Sequence, residues 1–220
     1  NGIEGEFWIR ILYTHPAHWT GEIISAIAEC DKVAKYVDMP LQHIHDAMLE
    51  RMRRETSGQY IRDLIERIRV GIPGIALRTT FIVGFPGETE TDFDETLSLC
   101  REVEFDNAFL FKYSQRRDTP AAAMPDQLPE SLIEERHARL LKAVDVIRTR
   151  KLKEYIGQQM EILVEGPSRR NAARLEGRTR CNKIVVFEGG ARFIGQVMDV
   201  QIADATKTTL YGDPAILNLN

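Results

Sequence analysis

The sequence is poor in cysteine, and none of its cysteines stands at a spacing that binds metal. Its 220 residues include only Cys30, Cys100 and Cys181, which lie far apart. Zinc and cluster motifs place cysteines a few residues from one another, and small disulfide-bonded domains contain many of them, so neither arrangement is present. We therefore predict that this chain contributes no metal ligand. Scattered cysteines also favour a reducing compartment, the cytoplasm.

The sequence also lacks long apolar runs and a large net charge. No stretch approaches the roughly 18 apolar residues that span a bilayer, and none is typical of a signal peptide, so we expect no membrane partner. The formal net charge of −4 gives no overall attraction to nucleic acid, and an RNA-binding surface would have to be local. The first residue is Asn1 rather than Met, from which we expect a piece of a longer protein.

What is present is an alternation of strands and helices over residues 1–155. The apolar patterns predict strands at 7–12, 33–39, 77–83 and 108–113, with helices between them and a long trailing helix at about 130–155. Strands and helices that alternate with short connections form a parallel sheet with right-handed crossovers. We predict an α/β fold for this domain, the later half of a partial (β/α) barrel.

The stretch LRTTFIVGFPGET, residues 77–89, is the most informative part of this domain. It predicts a buried strand that ends in a turn containing Gly84 and Gly87. Ligands of α/β sheets bind where the strands end at their carboxyl edge, and glycine lets the backbone approach a ligand closely. Since glycine turns after strands are also common without any ligand, the pattern alone leaves both interpretations open.

Other polar groups follow strands at the same predicted edge. Gln42 and His43 come after the second strand, where they either face a ligand or, respectively, bond a loop and cap a helix. Arg116 and Arg117 follow the fourth strand, where they either bind a phosphate or carboxylate or are solvated. This edge is therefore where we expect a ligand.

Residues 156–217 change to five short alternating segments separated by Gly, Pro, Asn and Asp. They predict a small antiparallel five-stranded β barrel, an architecture that often binds oligonucleotides. Between residues 169 and 183, six basic residues stand against one acidic residue, Glu176, for a local net charge of +5. We predict an RNA-binding surface here, with a solvated basic face as the alternative. Its basic residues are Arg169, Arg170, Arg174, Arg178, Arg180 and Lys183.

Four segments are more specific together than any one of them alone. They are PLQH (40–43), TTFIVGFPGET (79–89), FKYSQRRDTPAA (111–122) and GRTRCNKIVVFEG (177–189). The first three resemble the radical S-adenosylmethionine methylthiotransferases, and the fourth is similar to TRAM, the small barrel at the carboxy terminus of that family. The resemblance covers essentially the whole chain, in the right order.

The resemblance implies S-adenosylmethionine and two [4Fe–4S] clusters as cofactors, one of which cleaves S-adenosylmethionine to a 5′-deoxyadenosyl radical. In that family the clusters are held by a CxxxCxxC motif and by three cysteines of an amino-terminal domain, and this chain has neither set. The resemblance therefore implies that these residues alone are inactive. It assigns no catalytic residue to them.

By position, five residues resemble the cofactor site of the family. Ile82, Val83 and Gly84 resemble the strand whose backbone contacts the adenine of S-adenosylmethionine. Gln42 resembles the strand-end residue that faces the cofactor. Arg78, on the same strand as Ile82, is placed either to reach the ribose or carboxylate or to pair with an acid of the barrel.

The resemblance divides between two substrates. WIRILYTHPAHW (8–19) and YVDMPLQHIHD (36–46) are similar to the branch that methylthiolates an aspartate of a small-subunit ribosomal protein. FKYSQRRDTPAA, GRTRCNK and TLYGDP (209–214) are similar to the branch that modifies isopentenyladenosine next to the tRNA anticodon. Because arginines suit a polyanionic tRNA stem-loop, the basic segment favours tRNA. A third alternative is that these residues act only as an RNA-binding module.

Overall fold

The computed structural model describes residues 1–214, and the first half of them forms a parallel sheet. Its four strands lie in the order β1-β2-β3-β4, and all neighbouring strands are parallel. The strands are β1 (Ile9–Ile11), β2 (Val33–Asp38), β3 (Ala76–Val83) and β4 (Asn107–Lys112). The predicted parallel sheet is confirmed, and each observed strand overlaps a predicted one.

Five α-helices follow or connect these strands: α1 (Gly21–Glu29), α2 (Asp46–Arg51), α3 (Gly58–Gly71), α4 (Glu90–Val103) and α5 (Glu130–Lys153). The start of α4 has a local cause, because the Thr89 side chain accepts the N–H of Asp92 while Asp92 accepts the N–H of Thr89 at 2.8 Å. The trailing helix α5 ends at Lys153, shortly before the predicted end. Within residues 1–214, no helix is long and apolar enough to cross a membrane.

β3 shows how the two faces of the sheet differ. Leu77 and Phe81 point into the main core, where they pack with residues of the helices. Arg78 and Ile82 alternate with them on the opposite face and are partly exposed. Phe109 of β4 lies against the Arg78 guanidinium on that face and is 41% exposed. The helices therefore cover one face, and the other, which we call the inner face of the partial barrel, is only partly covered.

Residues 159–214 form a closed five-stranded barrel in the order β5-β6-β7-β9-β8. Its strands are β5 (Gln159–Pro167), β6 (Leu175–Thr179), β7 (Ile184–Phe187), β8 (Val197–Ala205) and β9 (Thr209–Pro214). Along β5, buried residues such as Ile162 and Val164 alternate with exposed ones. This alternation arises because successive side chains of a strand point into the barrel and out to solvent in turn. The last three residues of the predicted unit 156–217 lie outside the described residues.

The small barrel differs from its prediction at one seam. β7 and β9 pair in parallel, whereas the other four pairs of neighbours are antiparallel. Successive strands along the chain reverse direction, and a closed ring with an odd number of strands cannot alternate all the way round. One parallel seam is therefore a consequence of closing five strands into a barrel.

The two units meet where the turn between β6 and β7 reaches the inner face of the parallel sheet. Arg10 on β1 donates a hydrogen bond of 3.0 Å to the carbonyl oxygen of Thr179. The Asn182 amide donates one of 3.2 Å to the hydroxyl of Tyr36 on β2. Tyr36 is paired with Ala76, the first residue of β3, so the turn lies toward the amino-terminal ends of the strands. The predicted ligand edge lies at the other end.

Candidate functional site

A cavity of about 390 Å³ opens where β2 and β3 end, at the carboxyl edge of the parallel sheet. The structure brings Gln42 and Ile82 together in its wall, beside Phe85 of the glycine turn. The rest of the wall comes from the end of α2 and from the loop after β4: Arg51, Met52, Arg53, Arg54, Thr119, Pro120, Ala121 and Met124. A cavity of this size, with apolar walls and a few polar groups, is typical of a small-molecule site.

Gln42 is held in an unusual conformation at this edge. Its N–H donates to the carbonyl of Thr80 at 2.8 Å, and its own carbonyl accepts the N–H of Ile82 at 2.9 Å. Its φ of 72° lies in the left-handed region, where a residue with a side chain is strained. Its side-chain Oε1 is buried and has no hydrogen-bond partner among the described residues. Backbone strain and an unsatisfied buried acceptor are both features that occur more often at functional sites than elsewhere.

The turn after β3 requires glycine at position 84. Gly84 has a φ of 76°, and a Cβ added there would lie 2.5 Å from Cγ1 of Ile133 on α5. The preceding Val83 directs its side chain into the main core, and its carbonyl accepts the N–H of Tyr113 at 2.8 Å. Within the predicted trio of residues 82 to 84, only Ile82 contributes to the cavity wall.

Glu88 lies behind the cavity and holds this turn. Its Oε2 accepts the N–H of Gly84 at 3.0 Å, and its Oε1 accepts a hydrogen bond of 2.8 Å from Arg136 of α5. His43 is buried, with its Nε2 at 3.5 Å from Oε2 of the same carboxylate. His43 therefore does not line the cavity, and its Nδ1 accepts the N–H of His45, the residue before α2, at 3.0 Å, which is a contact at the start of a helix. The sequence carries no sign that Glu88 and Arg136, far apart in the chain, form a pair.

A second close approach occurs at Gly87. Arg51 donates to the carbonyl of Pro86 at 3.1 Å and to both carboxylate oxygens of Asp126, at 2.8 and 2.6 Å. A Cβ at Gly87 would overlap the Asp126 side chain. Arg51 therefore links the turn to the loop after β4 by hydrogen bonds, a role that no motif in the sequence indicates. Arg116, in the same loop, is exposed and does not line the cavity.

Arg78 lies away from this cavity. Its guanidinium donates a hydrogen bond of 2.5 Å to Asp38, and this bond raises the pKa of Arg78. It precedes Ile82 by four residues, which is about 13 Å along a strand. It lines a second cavity, of about 370 Å³, between the parallel sheet and the small barrel. The sequence allowed two roles for Arg78, and the structure shows the second of them, an ion pair with an acid of the partial barrel.

The basic segment of the small barrel is largely paired with acids. Four of its arginines have a carboxylate within 4 Å: Arg169 with Glu176, Arg174 with Glu188, Arg178 with Glu165 and Arg180 with Glu161. Three of these acids, Glu161, Glu165 and Glu188, lie outside residues 169–183, so the local net charge of that segment does not include them. Arg170 is exposed. The local charge of +5 overstates the field that this surface presents to a ligand.

Lys183 is placed differently from the arginines. It is buried, and its Nζ donates to Asp106 at 2.9 Å, while Lys151 of α5 donates to the same carboxylate at 3.0 Å. Burial alone would raise the pKa of Asp106, but the attraction of the two ammonium groups outweighs it and lowers that pKa. Burial likewise disfavours the Lys183 charge, yet the facing acidic groups raise its pKa. The Lys183 ammonium therefore pairs with Asp106 between the two units, and burial keeps it away from the surface that an RNA would contact.

The cysteines do not form a reactive or metal-binding group. Cys30, Cys100 and Cys181 are all free, and burial raises the pKa of the Cys100 thiol to about 12, which keeps it unreactive. In the part of the chain that the structure describes, no three or more His, Cys, Asp or Glu side chains lie together as metal ligands would.

Two family models match the chain, one within the parallel-sheet unit and the other over the small barrel. Residues 3–100 match the radical SAM superfamily, and residues 153–215 match the TRAM domain. Among solved structures, the chain is similar to coproporphyrinogen III oxidase (HemN) from Escherichia coli, described as a radical SAM enzyme. The TM-score is 0.50 at 17% identity, over 69% of this chain and 34% of that one. This likeness shows the partial-barrel fold alone, and it confirms the predicted fold.

Curated relatives fall into two groups. The chain is 58% identical over 167 residues to the ribosomal protein uS12 methylthiotransferase RimO of Opitutus terrae, which is 76% of this chain and 36% of that protein. It is 42% identical over 213 residues to the tRNA-2-methylthio-N(6)-dimethylallyladenosine synthase of Moorella thermoacetica, 97% of this chain and 48% of that protein. The chain spans less than half the length of these relatives.

Proposed function

Because the chain belongs to the radical SAM methylthiotransferase family and carries its TRAM domain, we propose that it is the carboxy-terminal part of an enzyme that methylthiolates isopentenyladenosine beside the tRNA anticodon. The observation that carries the choice of tRNA is the extent of similarity: the tRNA-modifying relative matches 97% of the chain, through the small barrel, and RimO matches 76%. The proposed partner is the anticodon stem-loop, and the proposed location is the cytoplasm.

The cavity at the carboxyl edge is the proposed site of S-adenosylmethionine. Its residues fit that group, because Gln42 presents a buried acceptor without a partner and Ile82 and Phe85 supply apolar wall for an adenine. When bound, S-adenosylmethionine and two [4Fe–4S] clusters supply the radical and sulfur chemistry. We propose that the cluster ligands belong to the rest of the protein and that residues 1–220 alone are inactive. What this chain contributes is binding and orientation of the cofactor's nucleoside end.

The proposed RNA surface is the basic face of the small barrel, led by Arg169, Arg170 and Arg174. Arg169 has a side chain that is 90% exposed and lies 3.9 Å from Glu176, and such surface ion pairs contribute about 0 to 1 kcal/mol. A guanidinium held that weakly exchanges a carboxylate for a phosphate at little cost. Arg178 lines the cavity between the small barrel and the parallel sheet, and Arg180 donates to the carbonyl of Asp31, so both contribute less. Lys183 is left out because it is buried and paired.

Methylthiolation of an aspartate in a small-subunit ribosomal protein is the second candidate. It is favoured by the higher identity to RimO, 58%, and by the acids that accompany the arginines of the small barrel. A near-neutral surface suits a basic ribosomal protein better than a tRNA stem. The third candidate, a module that only binds RNA, differs from both because it predicts no modification of any substrate.

The experiment that tests these candidates uses the full-length protein. Its gene is deleted, and nucleosides of bulk tRNA and the intact small-subunit ribosomal proteins are analysed by mass spectrometry. Loss of the methylthio group from isopentenyladenosine alone, restored by the intact gene, is the expected result. Loss from the ribosomal protein alone would replace the leading proposal by the second candidate. No change in either pool would leave only the RNA-binding module.

A further inference from the structure

We propose that Glu88 is a positioning residue of the cofactor pocket, and that Arg136 links this residue to helix α5. The proposal rests on the cofactor site proposed above. The Glu88 carboxylate does not line the cavity. It acts through the backbone of Gly84 and through its place between the two strand ends that carry Gln42 and Ile82.

Glu88 is buried, and both of its carboxylate oxygens accept hydrogen bonds. Its side chain is 0% exposed, and its oxygens accept the N–H of Gly84 at 3.0 Å and the Arg136 guanidinium at 2.8 Å. The same Arg136 nitrogen also donates to the Glu88 carbonyl at 2.9 Å. A carboxylate is retained in such a place only where it is paired and hydrogen-bonded, because burial of an unpaired charge is very costly.

The Glu88 carboxylate lies between the two strand ends. On one side it holds Gly84, which follows β3 and the cavity-lining Ile82. On the other side lies His43, whose Nε2 is 3.5 Å away and which directly follows Gln42. Gln42 is itself in a strained conformation, with φ 72°, and such a conformation persists only where its surroundings hold it. The two walls of the cavity therefore share one support.

Helix α5 is connected to the same carboxylate. This helix contributes Arg136 to the carboxylate and Ile133 to the closest approach at Gly84, and it continues directly toward the small barrel. Arg136 is only 3% exposed, so it has no freedom to leave the turn without a movement of the helix. A displacement of α5, on which the small barrel follows, must therefore displace the glycine turn as well. The ion pair between Glu88 and Arg136 therefore couples the geometry of the cavity to the position of the small barrel.

The test measures binding of S-adenosylmethionine to the cluster-loaded full-length protein by calorimetry, with variants that separate charge from shape. Glu88→Gln keeps an acceptor for the Gly84 N–H but removes the charge that pairs with Arg136. We expect its affinity to fall about tenfold or more, as it does when the support of a binding residue is removed. Arg136→Lys keeps the charge and is expected to lose less affinity than Arg136→Met.

Two controls separate positioning from simple loss of stability. Glu90→Gln removes an exposed partner of Arg136 that does not touch the turn, and Ile27→Ala destabilises the main core at a buried position of α1, outside the contacts that join the turn to α5. Both are expected to bind S-adenosylmethionine as the wild type does. Hydrogen exchange of the Gly84 amide, measured by mass spectrometry of the peptide that contains it, should accelerate in Glu88→Gln and in neither control.

The outcomes are distinguishable. If the wild type does not bind S-adenosylmethionine, the cofactor site fails, and the positioning role fails with it. If the wild type and Glu88→Gln bind equally well, only the positioning role is overturned. Equal loss of affinity in Glu88→Gln and Ile27→Ala would show that stability alone is responsible, and would also overturn it. Should Glu88→Gln not fold, the Arg136→Lys and Arg136→Met pair decides the same question.

Discussion

Lys183 of the small barrel donates a hydrogen bond of 2.9 Å to Asp106, which immediately precedes β4 of the parallel sheet. The same carboxylate accepts the N–H of Leu77 and the Lys151 ammonium, each at 3.0 Å. One partly buried acid thereby joins the parallel sheet, helix α5 and the small barrel. The contact lies at the end of the sheet opposite the proposed cofactor cavity.

Asp106→Asn is expected to destabilise the protein by about 3 kcal/mol, because it leaves the buried Lys183 charge without a counterion. The measurement is the free energy of unfolding in urea. The matched control is the double variant Asp106→Asn with Lys183→Met, which removes both charges and should recover most of the loss. A double variant as unstable as the sum of its single changes would show that the two residues do not interact.

Stability at low pH should depend on the same residue. The pKa of Asp106 is lowered on folding, so its ion pairs stabilise the protein above the unfolded pKa of about 4 and cease to do so as the pH falls through the lower folded pKa. The difference in unfolding free energy between wild type and Asp106→Asn should be constant from about pH 5 to 8 and shrink below about pH 4. A difference that grows on acidification contradicts this account.

Gly84→Ala and Gly74→Ala form a matched pair, because both glycines have a φ of 76°. Within the described residues a Cβ at Gly74 meets no atom within 4 Å, whereas one at Gly84 meets Ile133. We expect Gly74→Ala to cost about 1 kcal/mol for the left-handed backbone, and Gly84→Ala about 3 kcal/mol because overpacking is added. Thermal unfolding of the two variants measures the difference. Equal costs would mean that α5 does not press on the turn.

Gln42→Gly separates binding from stability at the cavity. Glycine adopts the left-handed conformation freely and keeps both backbone hydrogen bonds of position 42, so the free energy of unfolding should change by less than about 1 kcal/mol. The side-chain acceptor is lost, and the affinity of the full-length protein for S-adenosylmethionine should fall about tenfold. Unchanged affinity in calorimetry would remove Gln42 from the site.

Arg169→Ala and Arg170→Ala are expected to weaken tRNA binding and to reduce its salt dependence. Each arginine that contacts a phosphate contributes about 0.7 to 1 to the slope of log K against log salt concentration. Arg178→Ala should change the slope less, since its guanidinium is bonded to Glu165 and Asn182. Filter binding at several salt concentrations provides the comparison. Three identical slopes, all equal to that of the wild type, would exclude this face as the RNA surface.

Sequence patterns were sufficient where the cause is local. A helix was predicted between the strands at 77–83 and 108–113, and α4 forms there because Thr89 and Asp92, three residues apart, make its capping box. The edge of the sheet that holds the cavity also followed, since the carboxyl ends of parallel strands meet there. Gln42 and Ile82 were placed at that edge by the resemblance to the family, and both line the cavity.

The strands, the helices, the change to a small barrel and the glycine turn could be predicted because residue spacing and turn residues encode them within a few positions. The partner of each charged side chain depends instead on tertiary packing. Packing pairs Arg78 with Asp38, Lys183 with Asp106 and Glu88 with Arg136. Partners so distant in the chain meet only after folding, and burial then makes the pairing obligatory, which no local count of charges contains.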